Sequence, residues 1–277
     1  MPLARTADLV ASAYRAGTGV VAFNVITLEH AEAIVAGAER AGSPVILQIS
    51  ENAVKFHHGR LRPIAVATAA VAAHATIAAS VHLDHVEDPE LLYATAETGC
   101  SSAMFDASKL DYAENVAATK AAAEWGHERG LFMEAELGEV GGKDGAHAPG
   151  VRTDPAEAVA FVTATGVDAL AVAVGSSHAM SVRTAALDFE LIARLRAVVP
   201  VPLVLHGSSG VDDEDLRKAV SAGITKVNVG TLLNIDFTAA VRNHLAADDT
   251  VTDPRRYLAP AREAVAEAVA ATIAAIN

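Results

Sequence analysis

Residues 78–106 read AASVHLDHVEDPELLYATAETGCSSAMFD. The largely apolar runs at 78–83 and 101–105 predict two buried strands. Between them, Pro89 follows an N-capping aspartate and opens a helical stretch, and Gly99 stands where a left-handed residue ends a helix. The stretch therefore predicts a strand–helix–strand unit with parallel strands.

The same unit recurs along the chain. Apolar runs alternate with alanine-rich helical stretches, and the predicted strands are 20–23, 44–49, 78–83, 101–105, 131–135, 168–174, 201–205 and 224–229. Strands as apolar as these are typical of parallel sheets that helices cover. Eight units in 277 residues predict a closed (β/α)8 TIM barrel, with a doubly wound sheet as the alternative. Because no linker divides the chain, residues 1–277 are predicted to form a single domain.

Composition narrows the classes of partner. A net charge of −13 argues against nucleic acid or a membrane surface as a partner, since both require a basic face. An anionic substrate remains compatible, because backbone amides and one metal ion can dominate the local field. The single cysteine, Cys100, excludes an intrachain disulfide and favours a reducing cytoplasmic location. The apolar stretch 64–81 is mainly alanine, which predicts a buried helix running into a strand instead of a membrane span.

Polar or titratable residues follow every predicted strand. In a TIM barrel these carboxyl ends share one face, and active sites are built there. The residues are Asn24, Ser50, Asp84, His85, Asp106, Glu134, Glu136, His178, the segment 206–210 and the segment 228–231. This face is therefore predicted to carry the functional site.

Three histidines at these positions indicate a metal centre. Catalytic Zn²⁺ takes three protein ligands and leaves one position open. His85, His178 and His206 follow strands three, six and seven, so they converge only if the barrel closes. For any one of them alone, a surface or packing role is the alternative. In simple alternation His82 points to the opposite side of its strand from His85.

Two glycine-rich turns predict a phosphate site. HGSSG at 206–210 leads into a helix, so backbone amides and a helix N-terminus can face an anion. NVGT at 228–231 offers a second amide-rich turn. Phosphate sites after strands seven and eight recur in this fold, although either turn alone could be an ordinary loop.

Several segments resemble one enzyme family, the class II fructose/tagatose-bisphosphate aldolases. VHLDHVED (81–88), MEAELGEVGGKDG (133–145), LVLHGSSGV (203–211) and GITKVNVGT (223–231) are similar to its signature blocks, as are AFNV and DPRRYLAPAREAV. The similarity spans essentially the whole chain, in order. It implies a zinc-dependent enzyme that reversibly cleaves a ketose 1,6-bisphosphate, of the fructose or tagatose type, into dihydroxyacetone phosphate and glyceraldehyde 3-phosphate.

The resemblance also implies roles for individual residues. It implies that His85, His178 and His206 hold the Zn²⁺ ion, with Asp106 and Glu136 around these ligands. Asp84 is expected to exchange a proton with the C4 hydroxyl, and Asp144 stands where the family carries a glutamate that handles the C3 proton. The implied substrate-binding residues are Asn24, Ser50, Ala179, Gly207, Ser208, Ser209, Asn228, Val229, Gly230 and Thr231.

Three positions depart from the family pattern. Asp144 is one methylene shorter than the usual glutamate, and His147 lies nearby in the sequence. Ala179 replaces a glycine near the phosphate and near a monovalent cation that the resemblance implies. Gly230 stands where fructose-type enzymes often carry aspartate, which favours the tagatose-type and unassigned ketose-phosphate branches.

Other functions remain open at this point. They are an aldolase acting on another phosphorylated ketose or a keto acid, a sugar-phosphate-binding protein that has lost catalysis, and another metal-dependent barrel enzyme such as an epimerase. A Schiff base on Lys226 would leave the three histidines unexplained. The resemblance further implies a homodimer or homotetramer, and Arg255 or Arg256 could reach a second phosphate across a subunit boundary.

Overall fold

Eight parallel strands form the centre of the molecule. The computed structural model describes residues 3–137, 152–176 and 183–277. The strands are β1 (Val20–Asn24), β2 (Val45–Ser50), β3 (Ala79–Val86), β4 (Ser102–Phe105), β5 (Phe132–Glu136), β6 (Ala169–Ala171), β7 (Leu203–Leu205) and β8 (Ile224–Val229). Each strand pairs with the next, and β8 pairs with β1, so the sheet closes into a barrel. The predicted (β/α)8 TIM barrel is confirmed, and the doubly wound alternative is wrong.

Helices surround the strands. They are α1 (Thr6–Ala16), α2 (Leu28–Ala41), α3 (Glu51–Phe56), α4 (Leu61–His74), α5 (Pro89–Tyr93), α6 (Tyr112–Glu128), α7 (Pro155–Thr165), α8 (Phe189–Val198), α9 (Asp213–Ala222), α10 (Thr231–Ala247) and α11 (Pro254–Ile276). Within the described ranges, none of these helices has both the length and the apolarity that crossing a membrane requires.

Helix boundaries follow local capping signals. The Asp154 carboxylate accepts hydrogen bonds from the amides of Ala156 and Glu157, at 2.8 and 3.0 Å, and so begins α7. Gly166 ends this helix with a φ of 72°, a left-handed conformation that glycine adopts without strain. The last helix, α11, begins at Pro254, because the Asp253 side chain caps it.

Helix α1 covers the amino-terminal end of the barrel. The Thr6 amide donates to Ser101 Oγ at 2.9 Å, and the Thr6 hydroxyl donates to Ser80 Oγ at 2.9 Å. Ser102 Oγ donates back to Thr6 Oγ1 at 2.7 Å. Leu9 and neighbouring apolar side chains of α1 pack on the first strands, so this end of the barrel is filled.

The barrel interior changes from apolar to polar along its axis. Near α1, Ala22 and Ile46 are fully buried among apolar neighbours. Farther along the strands the interior contains fully buried titratable groups, namely His82, Glu134, His206 and Lys226. Burying such groups is costly unless they are paired, so their contacts decide what this end of the barrel can do.

The close contact between α2 and α11 joins the two ends of the helical ring. A methyl group at Gly37 of α2 would lie 2.4 Å from the Ala266 carbonyl oxygen and 2.7 Å from Val269 Cβ. Both neighbours belong to the buried part of α11, and the oxygen cannot move without moving the helix. Glycine is therefore required at this crossing by the separation of the helices.

We expect Gly37→Ala to lower the free energy of unfolding by about 1–3 kcal/mol, because overpacking outweighs the gain in helix propensity of roughly 1 kcal/mol. Gly126→Ala in α6 is the matched control. Its methyl group would meet Met133 Sδ at 2.3 Å, and a flexible thioether can move aside. Urea denaturation measures both variants, and a Gly37→Ala protein at least as stable as the parent would contradict the expectation.

Candidate active site

A cavity opens at the carboxyl ends of the strands, opposite α1. Its lining residues are Asn24, Gln48, Asp84, His85, Gly207, Ser209, Asn228, Gly230, Thr231 and Asn234. Most of them belong to the strand-end positions that the sequence singles out. The closed barrel brings together residues separated by about two hundred positions in the chain, because all its parallel strands end on one face.

The backbone of His85 explains how two consecutive residues reach the same cavity. His85 has a φ of 52°, a left-handed conformation that is uncommon for residues other than glycine. The pairing of β3 with β4 also shifts register between Leu83 and Val86. Strand alternation directs Asp84 inward together with His82, whose Nε2 lies 3.6 Å from Asp84 Oδ1. The left-handed residue then interrupts the alternation, so His85 also lines the cavity.

His85 is held by an acidic partner and lies against a second histidine. Its Nδ1 is 2.8 Å from Asp106 Oδ2, and its ring meets the His206 ring edge-on with centroids 4.8 Å apart. Asp84, His85 and His206 each offer a ligand atom within 4.8 Å of the others. Imidazole nitrogen and carboxylate oxygen are both ordinary Zn²⁺ ligands, so this group of side chains fits the predicted metal.

Burial and neighbouring charges shift the proton affinities of this group. Burial alone would lower the pKa of His85, but the carboxylates of Asp84, Asp106 and Glu136 raise it to about 10. Burial would likewise raise the pKa of Asp84, yet nearby histidines, above all His85, hold it well below its usual range. The site therefore carries carboxylate charge next to its histidines, as a cation site requires.

His206 is fixed by buried carboxylates. Its Nε2 lies 3.0 Å from Glu134 Oε1, and its Nδ1 lies 3.6 Å from Glu136 Oε2. The other oxygen of Glu134 accepts a hydrogen bond from Lys226 Nζ at 2.8 Å. Lys226 is thus fully buried in an ion pair, and it is not among the residues that line the cavity. This arrangement disfavours Lys226 as a Schiff-base nucleophile.

Some predicted residues lie outside the described ranges. These are His178, Ala179, Asp144 and His147. The last described residue before His178 is Ser176, which is buried and whose hydroxyl donates to the His206 carbonyl oxygen at 2.6 Å. The chain leaving β6 therefore contacts the backbone of His206 just before the third predicted ligand.

The two glycine-rich turns meet at the cavity wall. Gly207 has a φ of 66°, and the Ser208 hydroxyl donates to the backbone carbonyl of Asn228, which ties one turn to the other. Ser209 Oγ accepts from the Leu232 amide at 3.1 Å in the first turn of α10. Since α10 begins at Thr231, its N-terminal amides face the cavity and favour an anion.

The remaining predicted residues lie near the cavity without lining it. Ser50 caps α3, because its hydroxyl accepts from the Ala53 amide at 3.2 Å. Val229 is buried beneath the turn, whereas Asp106 contacts His85 Nδ1 and Glu136 lies near His206 Nδ1.

Sequence reasoning missed two residues of the lining, Gln48 and Asn234. Gln48 precedes Ser50 by two positions in β2, and it donates to Asn24 Oδ1. Asn234 follows Thr231 by three positions, one helical turn into α10. Strand and helix periodicity, applied one step away from the strand ends, would have indicated both residues.

The chain is similar to known proteins over nearly its whole length. The sequence model of the family described as "Fructose-bisphosphate aldolase class-II" matches residues 4–277. The chain is 38% identical over 272 residues to a fructose-bisphosphate aldolase of Staphylococcus aureus (strain Mu50 / ATCC 700699), covering 97% of this chain and 95% of that one. The corresponding protein of Geobacillus stearothermophilus is 38% identical over 268 residues, covering 96% and 93% of the two chains.

Solved structures are similar over the same length. The crystal structure of the YdjI aldolase from Escherichia coli K12 superimposes with a TM-score of 0.85 at 32% identity, covering 99% of this chain and 97% of that one. A putative fructose-1,6-biphosphate aldolase from Coccidioides immitis gives a TM-score of 0.83 at 29% identity, with coverage of 99% and 97%. These matches confirm the resemblance carried by the signature blocks.

The left-handed backbone at His85 can be tested with two substitutions that both remove the imidazole. Asparagine tolerates this conformation, whereas a β-branched residue is strained in it. We expect metal-free His85→Val to be less stable than metal-free His85→Asn by about 1–2 kcal/mol. Thermal and urea unfolding measure the difference, and equal stability of the two variants would contradict the backbone argument.

Proposed function

The chain belongs to the class II fructose-bisphosphate aldolase family of carbon–carbon lyases, and we propose that it reversibly cleaves a ketose 1,6-bisphosphate with the help of a bound Zn²⁺ ion. The products would be dihydroxyacetone phosphate and glyceraldehyde 3-phosphate. The convergence of Asp84, His85 and His206 beside two amide-rich turns is the observation that carries this proposal. It supports an active site in which the metal, a proton-transferring carboxylate and the phosphate would share one cavity.

His85, His178 and His206 would hold the metal. When bound, Zn²⁺ supplies a Lewis acid that polarises the ketone oxygen and stabilises the negative charge left by carbon–carbon cleavage. Asp106 accepts from His85 Nδ1, so the other ring nitrogen, Nε2, is the one that can bind the ion. Glu136 Oε2 lies 3.6 Å from His206 Nδ1 and adds a carboxylate beside the histidines.

The two turns and the start of α10 would hold the phosphate of dihydroxyacetone phosphate. Gly207, Ser209, Gly230 and Thr231 line the cavity, and their backbone amides and hydroxyls suit phosphate oxygens. A side chain at Gly230 would collide with Asn24, because its Cβ would lie 2.9 Å from Asn24 Nδ2. Glycine at this position therefore keeps the Asn24 amide in the cavity.

Amide side chains would hold the sugar hydroxyls. Asn228 lines the cavity, and within the described residues its buried Nδ2 and Oδ1 have no hydrogen-bond partner. An unsatisfied buried amide costs about 1–3 kcal/mol, so a ligand that supplies both a donor and an acceptor would recover that energy. Gln48 and Asn24 extend the same polar wall, which suits a polyhydroxylated substrate.

Asp84 would transfer the proton at the C4 hydroxyl. It lines the cavity beside His85, and its carboxylate is otherwise buried. In the cleavage direction Asp84 removes the proton from the hydroxyl oxygen as the C3–C4 bond breaks, and it returns the proton in the reverse reaction. Asp144 is proposed to serve the C3 carbon, as the glutamate at this position does in the family.

Removal of the metal tests the proposed chemistry. We expect a chelator to abolish release of triose phosphate from a panel of ketose bisphosphates, and added Zn²⁺ to restore it, because the histidine ligands alone cannot stabilise the cleaved carbanion. A coupled assay for triose phosphate gives the rate for each sugar. Cleavage that survives complete removal of metal would contradict the proposal.

The same assay separates the alternatives. An epimerase would convert the sugar without forming triose phosphate. A binding protein that has lost catalysis would bind dihydroxyacetone phosphate but would not exchange its C3 proton with solvent deuterium. Observation of that exchange by NMR would therefore favour the aldolase over the binding protein.

Asp84→Asn should separate the two proton transfers. We expect kcat for cleavage to fall by about 10²–10⁴-fold, because the amide cannot act as a base at C4. Exchange of the C3 proton of dihydroxyacetone phosphate and the Zn²⁺ content should persist, since the three histidines proposed to hold the metal are unchanged. Asp8→Asn in α1, at the other end of the barrel, is the matched control. Loss of C3 exchange together with cleavage would contradict the assignment of Asp84 to C4.

A further inference from the structure

A buried chain of polar contacts runs from β8 through β5 to β7, behind the proposed metal site. Lys226 Nζ donates to Glu134 Oε2 at 2.8 Å, and Glu134 Oε1 lies 3.0 Å from His206 Nε2. All three side chains are fully buried. The proposed reaction uses His206 but gives neither Glu134 nor Lys226 a task.

We propose that Glu134 and Lys226 are positioning residues that select the tautomer of His206. In this arrangement the proton is on Nε2, and Nδ1 presents its lone pair to the metal. The inference rests on the proposed metal-dependent function and adds two residues to it. It also gives a task to a lysine and a glutamate that are fully buried inside the barrel.

The direction of each hydrogen bond follows from what the groups can donate. A lysine ammonium can only donate, and a carboxylate can only accept. Lys226 engages one oxygen of Glu134, and the remaining oxygen accepts from His206 Nε2, which must therefore carry the proton. His206 Nδ1 then has the lone pair, and it lies on the side of Glu136.

A conservative substitution of Glu134 should have an unusual effect on His206. In Glu134→Gln the new side chain has one acceptor and one donor group. Lys226 would take the carbonyl oxygen, because it has no acceptor to offer the amide NH₂. The NH₂ would then face His206 Nε2, which must accept, and the proton would move to Nδ1. A protonated Nδ1 cannot bind a metal ion.

Removing Lys226 as well should reverse the effect. In the double variant Glu134→Gln/Lys226→Met the amide is released from the ammonium. Its carbonyl oxygen can turn to His206 and accept from Nε2, as the carboxylate does in the parent. A second substitution deep in the barrel is therefore expected to restore metal binding lost through the first, and the tautomer of His206 distinguishes this from simple removal of an uncompensated buried charge.

The experiment measures Zn²⁺ affinity of metal-free protein by competition with a chromophoric chelator. We expect Glu134→Gln to bind Zn²⁺ about 10–100-fold more weakly than the parent, the usual range for losing a partner of a metal ligand. The double variant should bind more tightly than Glu134→Gln. Parent-like affinity in Glu134→Gln, or a double variant no tighter than the single one, would overturn the inference.

Nitrogen NMR of metal-free, ¹⁵N-histidine-labelled protein gives a second readout. The two ring nitrogens of His206 should exchange their protonated and unprotonated shifts between the parent and Glu134→Gln. Unchanged nitrogen shifts of His206 in Glu134→Gln would overturn the inference, whether or not the double variant folds. Circular dichroism and thermal unfolding show which variants are folded. A parent protein that binds no Zn²⁺ would contradict the proposed function, whereas the NMR comparison would still decide the tautomer.

Discussion

The pairing of β8 with β1 is the constraint on which the rest of the structure depends. Four register pairs, from Val20 with Lys226 to Phe23 with Val229, join the first strand to the last. Because the strands are parallel, this closure gathers every carboxyl end on one face. Asn24 thereby comes to lie next to Gly230 and Asn228, and His85 next to His206. Without closure these residues would be distributed along an open sheet.

A second consequence of closure is an enclosed interior that holds charges as well as apolar side chains. Removing one partner from a buried ion pair typically costs about 3–5 kcal/mol, because the other charge is left without compensation. Lys226 and Glu134 compensate each other, and Glu134 also contacts His206. Although burial by itself would raise the pKa of Glu134, chiefly Lys226 lowers it to about 2. The buried contacts of Lys226 and Glu134 therefore hold the His206 side chain in position beside His85 of the cavity wall.

The sequence predicted much of the fold because the determining signals are local. Alternating apolar runs located all eight strands to within a few residues, and N-capping aspartates such as Asp154 marked helix starts. Strand-end polarity also identified most of the cavity lining, including Asp84, His85 and Asn228. Gln48 and Asn234 were missed because they lie one strand or helix period away from the strand-end positions on which the prediction rested.

The sequence by itself determined the number and order of the strands, the family, and which residue types stand at the strand ends, since these depend on periodicity and on short motifs. Tertiary structure alone decided how those residues meet. Simple alternation would have turned His85 away from Asp84, but its left-handed backbone brings both into one cavity. Likewise Lys226 could have been a nucleophile on sequence grounds, and only barrel closure places Glu134 within hydrogen-bond distance of it. Such contacts join residues far apart in the chain, so they exist only once the barrel has formed.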